Sequence, residues 1–267
     1  MKTILLTGAT DGIGKLAARH LVEAGHRVLL HGRSADKLAA VASALGGETT
    51  SYVADLSRLD EVDAMAQQIL ADHAHLDVLI NNAGVFKTAR PRTADGQDVR
   101  FLVNTVAPYL LTRRLLPILG TAGRVVNLSS AAQAPVSTDA LQGRARLGDM
   151  AAYAQSKLAI TIWTRELAAQ LPAGPLLVAV NPGSLLATKM VTEGFGVAGS
   201  DIGIGARVVV DAALGERFAG RSGQYFDNDA GRFSDPHPAA LNPGHARDVM
   251  AAIEAMLPEA ARGSVTP

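Results

Sequence analysis

Short, uninterrupted apolar runs recur along this chain, separated by longer segments in which apolar residues return every three or four positions. Val78-Leu79-Ile80 and Val125-Val126-Asn127-Leu128 belong to the first kind. A strand with one face in water alternates apolar and polar residues, whereas a continuous run marks a strand covered on both faces. The pattern confines the chain to an α/β architecture: a parallel sheet with helices on both sides and right-handed crossovers. Strands are predicted at 3–7, 27–31, 50–54, 77–81, 124–129, 175–180 and 223–226. Helices are predicted at 13–24, 35–45, 58–72, 97–116, 151–170 and 201–214. No repeat or linker interrupts the series, so 1–267 reads as one domain, with a frayed tail from about 258.

Composition narrows the partners. Hydrophobic residues make up 48% and charged residues 19%, which supports a large core and argues against disorder. Lys+Arg and Asp+Glu number 25 each, so no polyelectrolyte attraction to nucleic acid or anionic membrane is expected. The absence of cysteine excludes disulfides and thiolate metal sites and is compatible with a reducing cytoplasm, the expected location. Ile4-Leu5-Leu6 is too short for a signal peptide, and no run approaches the ~18 apolar residues of a membrane helix. His73 and His75 lie two apart and face different ways on a helix, so no metal is expected.

Two segments fit neither period. Residues 131–150 and 184–200 each leave the carboxyl end of a predicted strand, where open α/β sheets bind ligands. Both are candidate substrate loops; the competing reading is plain surface loop.

The first strand runs into Thr7-Gly8-Ala9-Thr10-Asp11-Gly12-Ile13-Gly14. Glycines at 8, 12 and 14 let the backbone turn tightly and approach a ligand. The helix that follows offers free N–H groups and a positive dipole end to a pyrophosphate. A nucleoside-triphosphate loop is excluded, because that motif needs Gly at 9 and Ser or Thr at 16, where the chain has Ala9 and Leu16. A glycine-rich turn that binds nothing is the bland alternative.

The second predicted strand ends Leu30-His31-Gly32-Arg33. The acid that would accept from adenosine ribose hydroxyls is absent, and a guanidinium that can hold a 2′-phosphate is present. NADP(H) is therefore expected over NAD(H). Arg33 could instead be a solvated charge, and Asp11 beside the same pocket argues mildly the other way.

Tyr153-Ala154-Gln155-Ser156-Lys157 places a phenol and an ammonium on one helix face. Positive charge favours phenolate, so Lys157 is expected to lower the Tyr153 pKa and fit it for acid/base work. This spacing also arises by chance on helix surfaces. The strand at 124–129 delivers Ser129-Ser130 to the ligand crevice, where Ser130 could hydrogen-bond a substrate oxygen or merely cap a turn. Asn104 lies four residues before Pro108, which has no N–H to give the Asn104 carbonyl. The expected kink frees that oxygen to hold a water near Lys157 and resupply protons.

These motifs resemble those of the short-chain dehydrogenase/reductases over nearly the whole chain. Matching residues are Thr7-Gly8, Gly12-Ile13-Gly14, Asp55, Asn81-Asn82-Ala83-Gly84, Asn104, Ser130, Tyr153 with Lys157, Pro182-Gly183 and Thr188. The resemblance implies a single-domain Rossmann fold with a seven-stranded parallel sheet in the order 3-2-1-4-5-6-7. It implies hydride transfer between a nicotinamide and a small carbonyl or alcohol, with Asn104, Ser130, Tyr153 and Lys157 as the catalytic set. Gly8, Thr10, Asp11, Gly12, Ile13, Gly14 and Arg33 would bind the cofactor. So would Asp55, Leu56, Asn82, Ala83 and Gly84, with Asp55 and Asn82 at its adenine half. Pro182, Gly183 and Thr188 would surround the nicotinamide, and Tyr153 and Lys157 would reach it, Lys157 also holding the nicotinamide ribose. The Ser130–Tyr153 spacing, Thr164-Arg165-Glu166-Leu167-Ala168 and Gly223-Gln224-Tyr225-Phe226 resemble the retinol dehydrogenase-like branch. That branch favours NADP(H). Without the anchor many retinol-active members carry, a carbonyl reductase is expected rather than a lipid enzyme. A dimer or tetramer through the helices at 97–116 and 151–170 is expected; a cofactor-sensing regulator without turnover is the alternative.

Overall fold

The computed structural model describes residues 1–184, 186 and 201–262. Its sheet runs in the order β3-β2-β1-β4-β5-β6-β7-β8. The first seven strands are β1 (Thr3–Leu6), β2 (Arg27–Gly32), β3 (Thr49–Val53), β4 (Val78–Asn81), β5 (Arg124–Leu128), β6 (Leu176–Asn181) and β7 (Tyr225–Asp227). They are parallel, in the expected order. An eighth strand, β8 (Arg232–Ser234), pairs antiparallel with β7 and was not foreseen. It is three residues long, too short to show a period, and reaches β7 through a tight turn closed by Gly231 N–H on Asn228 O.

The continuous apolar runs have the predicted cause. Leu5, Leu29, Leu79, Val125 and Leu177 point to one core. Ile4, Leu6, Val28, Leu30, Val78, Ile80, Val126 and Val178 point to the other. The second core is covered by α1 (Gly12–Glu23), α2 (Ala35–Leu45) and a later helix at Ile202–Leu214. The first is covered by α3 (Leu59–Asp72) and by the stretch Val99–Leu119. That stretch comprises α4 (Val99–Phe101), a π-helical turn (Leu102–Val106) and α5 (Ala107–Leu119). Next come α6 (Thr138–Leu141) and α7 (Asp149–Gln170). The helix Ile202–Leu214 is α8, and α9 spans Pro243–Met256.

Helix α9 is missing from the sequence-based elements. Its signals are present: Asn242 caps it by accepting from His245 N–H, and Pro243 occupies the first turn. The proline-rich approach, Asp235-Pro236-His237-Pro238, obscured them. Helix α9 lies over α5 and α7. Glu254 accepts from the Tyr109 hydroxyl and takes two bonds from Arg113 Nη1, at 2.6 and 2.7 Å. All of Ser156–Thr164 in α7 is buried. Helix α9 thus packs on α7 and pairs through Glu254 with α5, the two helices that sequence offered for a dimer bundle. The tail also departs from expectation as far as residue 262: Ala261 is buried, and Ala260 O accepts from Arg114.

Residues 131–150 are pinned on three sides. Arg92 donates to Gly143 O and Ala145 O, His245 Nε2 accepts from Val136 N–H, and Gln155 Oε1 accepts from Ser137 N–H. Arg100, buried, pairs with both Asp98 and Asp149 and ties the start of α7 to α4. Of 184–200, only Ser184 and Leu186 lie within the described residues. No helix among the described residues is long and apolar enough to cross a membrane.

Candidate active site

The glycine turn at the end of β1 is built against the end of β4. Gly8 has φ +69°, a conformation that side chains rarely adopt. Gly14 is needed for room: a Cβ there would lie 2.2 Å from Gly8 O and 2.4 Å from Asn82 Nδ2. The Asn82 amide donates to Thr7 O at 2.8 Å and Gly8 O at 3.2 Å. Thr7 Oγ1 in turn accepts from Asn82 N–H and Ala83 N–H. Ala83 and Gly84 are half-buried beside this knot. Asn82 therefore holds the turn's carbonyls rather than standing free for an adenine. Asp11 accepts from Gly12 N–H at 2.8 Å and caps α1. Gly12, Ile13 and Gly14 form the first turn of α1, whose positive end faces the loop. A close backbone approach at a helix N-terminus, with no space for Cβ atoms, fits a dinucleotide pyrophosphate.

His31, which the sequence reading passed over, braces the cradle from β2. Its Nδ1 accepts from Gly8 N–H, so Nε2 carries the proton and donates to Ala54 O at 3.1 Å. Burial pushes its pKa down to about 4, so it stays neutral. A lone histidine in an apolar strand carries no signal of such a role. Thr10 packs its methyl where a Cβ on Gly32 would lie. Arg33 follows at the strand's end, exposed and without an ion pair among the described residues. Asp55 Oδ1 accepts from Ser57 N–H and Oγ–H at 2.9 and 2.8 Å, and Leu56 is buried next to it.

Buried polar side chains lace α7 to the strand ends. Asn81 donates to Thr112 and to Asn127, which donates to Thr164. The Ser129 hydroxyl bonds to Lys157 O and to Thr161. This lacing delivers Tyr153 and Lys157 to the carboxyl ends of β4, β5 and β6. Lys157 Nζ donates to Leu128 O at 2.7 Å and lies 5.7 Å from the Tyr153 ring centroid. Phe86 packs against Tyr153, their ring centroids 5.1 Å apart.

One expectation needs correcting. Lys157 was to acidify Tyr153, yet burial dominates and raises the phenol above its ordinary value, while the Ser130 hydroxyl pulls it down. The ammonium is directed at the Leu128 carbonyl. Burial lowers Lys157 itself to about 8.

At Asn104 the expected opening of the helix is present. The helix opens into a π turn just before Pro108, as the missing N–H requires, with Ala107 N–H reaching Leu102 O. The side chain is committed as well: Oδ1 accepts from Val85 N–H, and Nδ2 donates to Val85 O and Ser156 Oγ. It ties the segment carrying Phe86 to α7.

Ser130 lies one residue beyond the last ladder bond of β5, Ser129 N–H to Val180 O. Its Oγ accepts from Ala132 N–H at 3.1 Å. Across the cleft, Asn181 at the end of β6 accepts from Gly183 N–H and donates to Asp227 and Asp229. Asn228 donates to Pro182 O, and Asp229 accepts from Ser184 N–H. The β7–β8 turn thereby staples Pro182–Ser184 in place. Thr188 lies outside the described residues. Among those described, no group of three or more acidic or histidine side chains could hold a metal.

Residues 2–195 match the model of the short chain dehydrogenase family. The chain is 33% identical over 253 residues to human retinol dehydrogenase 13, covering 85% of this chain and 76% of that one. It is 36% identical over 245 residues to mouse retinol dehydrogenase 12, covering 85% and 78%. A crystal structure of an uncharacterised protein from Mycobacterium paratuberculosis superposes with TM-score 0.79 at 30% identity, covering 96% and 92%. A short chain dehydrogenase from Shigella flexneri, complexed with NADP, gives 0.68 at 28% identity, covering 85% and 97%.

Proposed function

We propose, for a chain that belongs to the short-chain dehydrogenase family in its retinol dehydrogenase-like branch, that its hydride-transfer chemistry is NADP(H)-dependent reduction of a small carbonyl compound. The observation that carries this is Tyr153, half-buried between Phe86 and Lys157 with the Ser130 hydroxyl beside it, at the strand ends that also form the cradle.

Bound NADPH would supply the hydride. Gly8, Gly12, Ile13 and Gly14 would hold its pyrophosphate, with Thr10 and Asp11 shaping the turn. Arg33, Asp55 and Leu56 would meet the adenosine end, and Pro182 and Gly183 the nicotinamide. The residues of the chain manage the proton. A phenol raised above its ordinary pKa is protonated at neutral pH, so Tyr153 carries the proton that the carbonyl oxygen would take. The Ser130 hydroxyl holds the carbonyl oxygen and steadies its growing charge. Lys157, anchored on the Leu128 carbonyl, would hold the nicotinamide ribose, and Asn104 keeps Val85 and α7 in register while the opened helix beside it supports proton resupply. The pinned segment 131–150 walls the substrate side. Helix α9 of the same chain packs on α7 and pairs with α5, so an oligomer through those helices would have to accommodate it.

Two expected outcomes test this reading. Consumption of NADPH, followed by absorbance against a panel of aldehydes and ketones, should exceed that of NADH. Arg33→Ala should raise the KM for NADPH about tenfold, as loss of a charge-assisted phosphate contact does, and leave that for NADH unchanged. Equal effects on both cofactors would remove Arg33 from the 2′-phosphate. Next, Lys157 loses its charge as pH rises through about 8. NADPH-driven turnover should fall over that range, and in Lys157→Arg, charged throughout, any residual activity should keep no such limb. The same shift has a stability sign. The unfolded lysine holds its proton to about 10.4, so burial of Lys157 costs stability in full below pH 8, and the cost fades as pH rises from about 8 toward about 10.4.

A further inference from the structure

We propose that Tyr225 is a positioning residue for Ser130, its hydroxyl replacing the strand ladder that ends one residue too early to hold the serine. This rests on the role given to Ser130 above.

Ser130 follows β5 but belongs to no strand. Its conformation is consequently set by whatever holds its carbonyl. Two side chains do so: the Tyr225 hydroxyl donates at 3.1 Å and Gln133 Nε2 at 2.9 Å. Tyr225 opens β7, which pairs with β6 through Tyr225 and Ala179, so its backbone is fixed by the sheet. Its side chain is buried, and burial raises its pKa, which keeps the hydroxyl a donor. Gln133 is fixed in turn, since its Oε1 accepts from His237 N–H at 3.0 Å. With the carbonyl held by two donors, the Ser130 hydroxyl is placed between Ala132 N–H, from which it accepts, and Tyr153.

The test separates aiming of Ser130 from a merely structural hydrogen bond. Tyr225→Phe keeps the ring in β7 and removes only the donor. In the parent enzyme it should lower kcat about fivefold, in the range of coupling between contacting groups. In a Ser130→Ala background the same change should alter the rate less than about twofold, because the hydroxyl it aims is gone. Binding of NADP+, measured by fluorescence titration, should stay within about twofold in all variants. Gln133→Leu, which removes the other donor, should show the same dependence on Ser130. An equal loss in both backgrounds, no loss in the parent, or a matching loss of NADP+ affinity would overturn the proposal. Parent-like turnover in Ser130→Ala alone would instead remove the role assigned to Ser130, a separate and recognisable failure.

Discussion

Tyr153→Phe is expected to lower kcat for NADPH-driven carbonyl reduction by about 10²–10⁴, the range of a lost general acid, while NADP+ binding changes little. The substitution removes one oxygen and keeps the ring packed against Phe86. No proton donor then stands beside Ser130, and Lys157 is held away by the Leu128 carbonyl. The split is the informative part. Loss of chemistry with binding intact assigns the hydroxyl to the reaction; loss of both would mean that the ring only shapes the cofactor site. Residual turnover within tenfold of the parent would end the assignment.

Gly14→Val is expected to abolish measurable NADP(H) binding and to destabilise the fold by about 3 kcal/mol or more, the upper part of the overpacking range. The added Cβ meets a backbone carbonyl, Gly8 O, at 2.2 Å. That carbonyl cannot yield, because Asn82 holds it and the Gly8 N–H is braced by His31. The nearer partner of a phosphate is therefore displaced whichever side moves. Thermal denaturation without cofactor and titration with NADP+ read the two effects separately. Unchanged affinity would show that the turn is not the pyrophosphate site.

Much of this molecule is legible from one dimension because the signals are local. A parallel strand buried on both faces must be apolar at every position, so Val78-Leu79-Ile80 declares itself. Proline at 108 cannot complete a helical bond, so the opening near Asn104 follows from composition. Spacing alone places Tyr153 and Lys157 on one face of α7.

Long-range partners decided the rest. Helix α9 had its cap and its apolar period, but only packing reveals that it lies on α7 and pairs through Glu254 with α5. His31, Phe86 and Tyr225 are ordinary residues of a strand or a loop until the fold sets them against Gly8, Tyr153 and Ser130. The acidity of Tyr153 moved opposite to the sequence argument. Charge proximity on a helix can be read from an i, i+4 spacing, but desolvation depends on everything that surrounds the group. The sequence by itself determined the seven parallel strands, the glycine turn and the shared helix face of Tyr153 and Lys157, because each follows from steric or periodic rules within a few residues. Only the tertiary structure decided what each group is bonded to and how far it is from water, because burial and hydrogen-bond partners are contributed by strands and helices far apart in the chain.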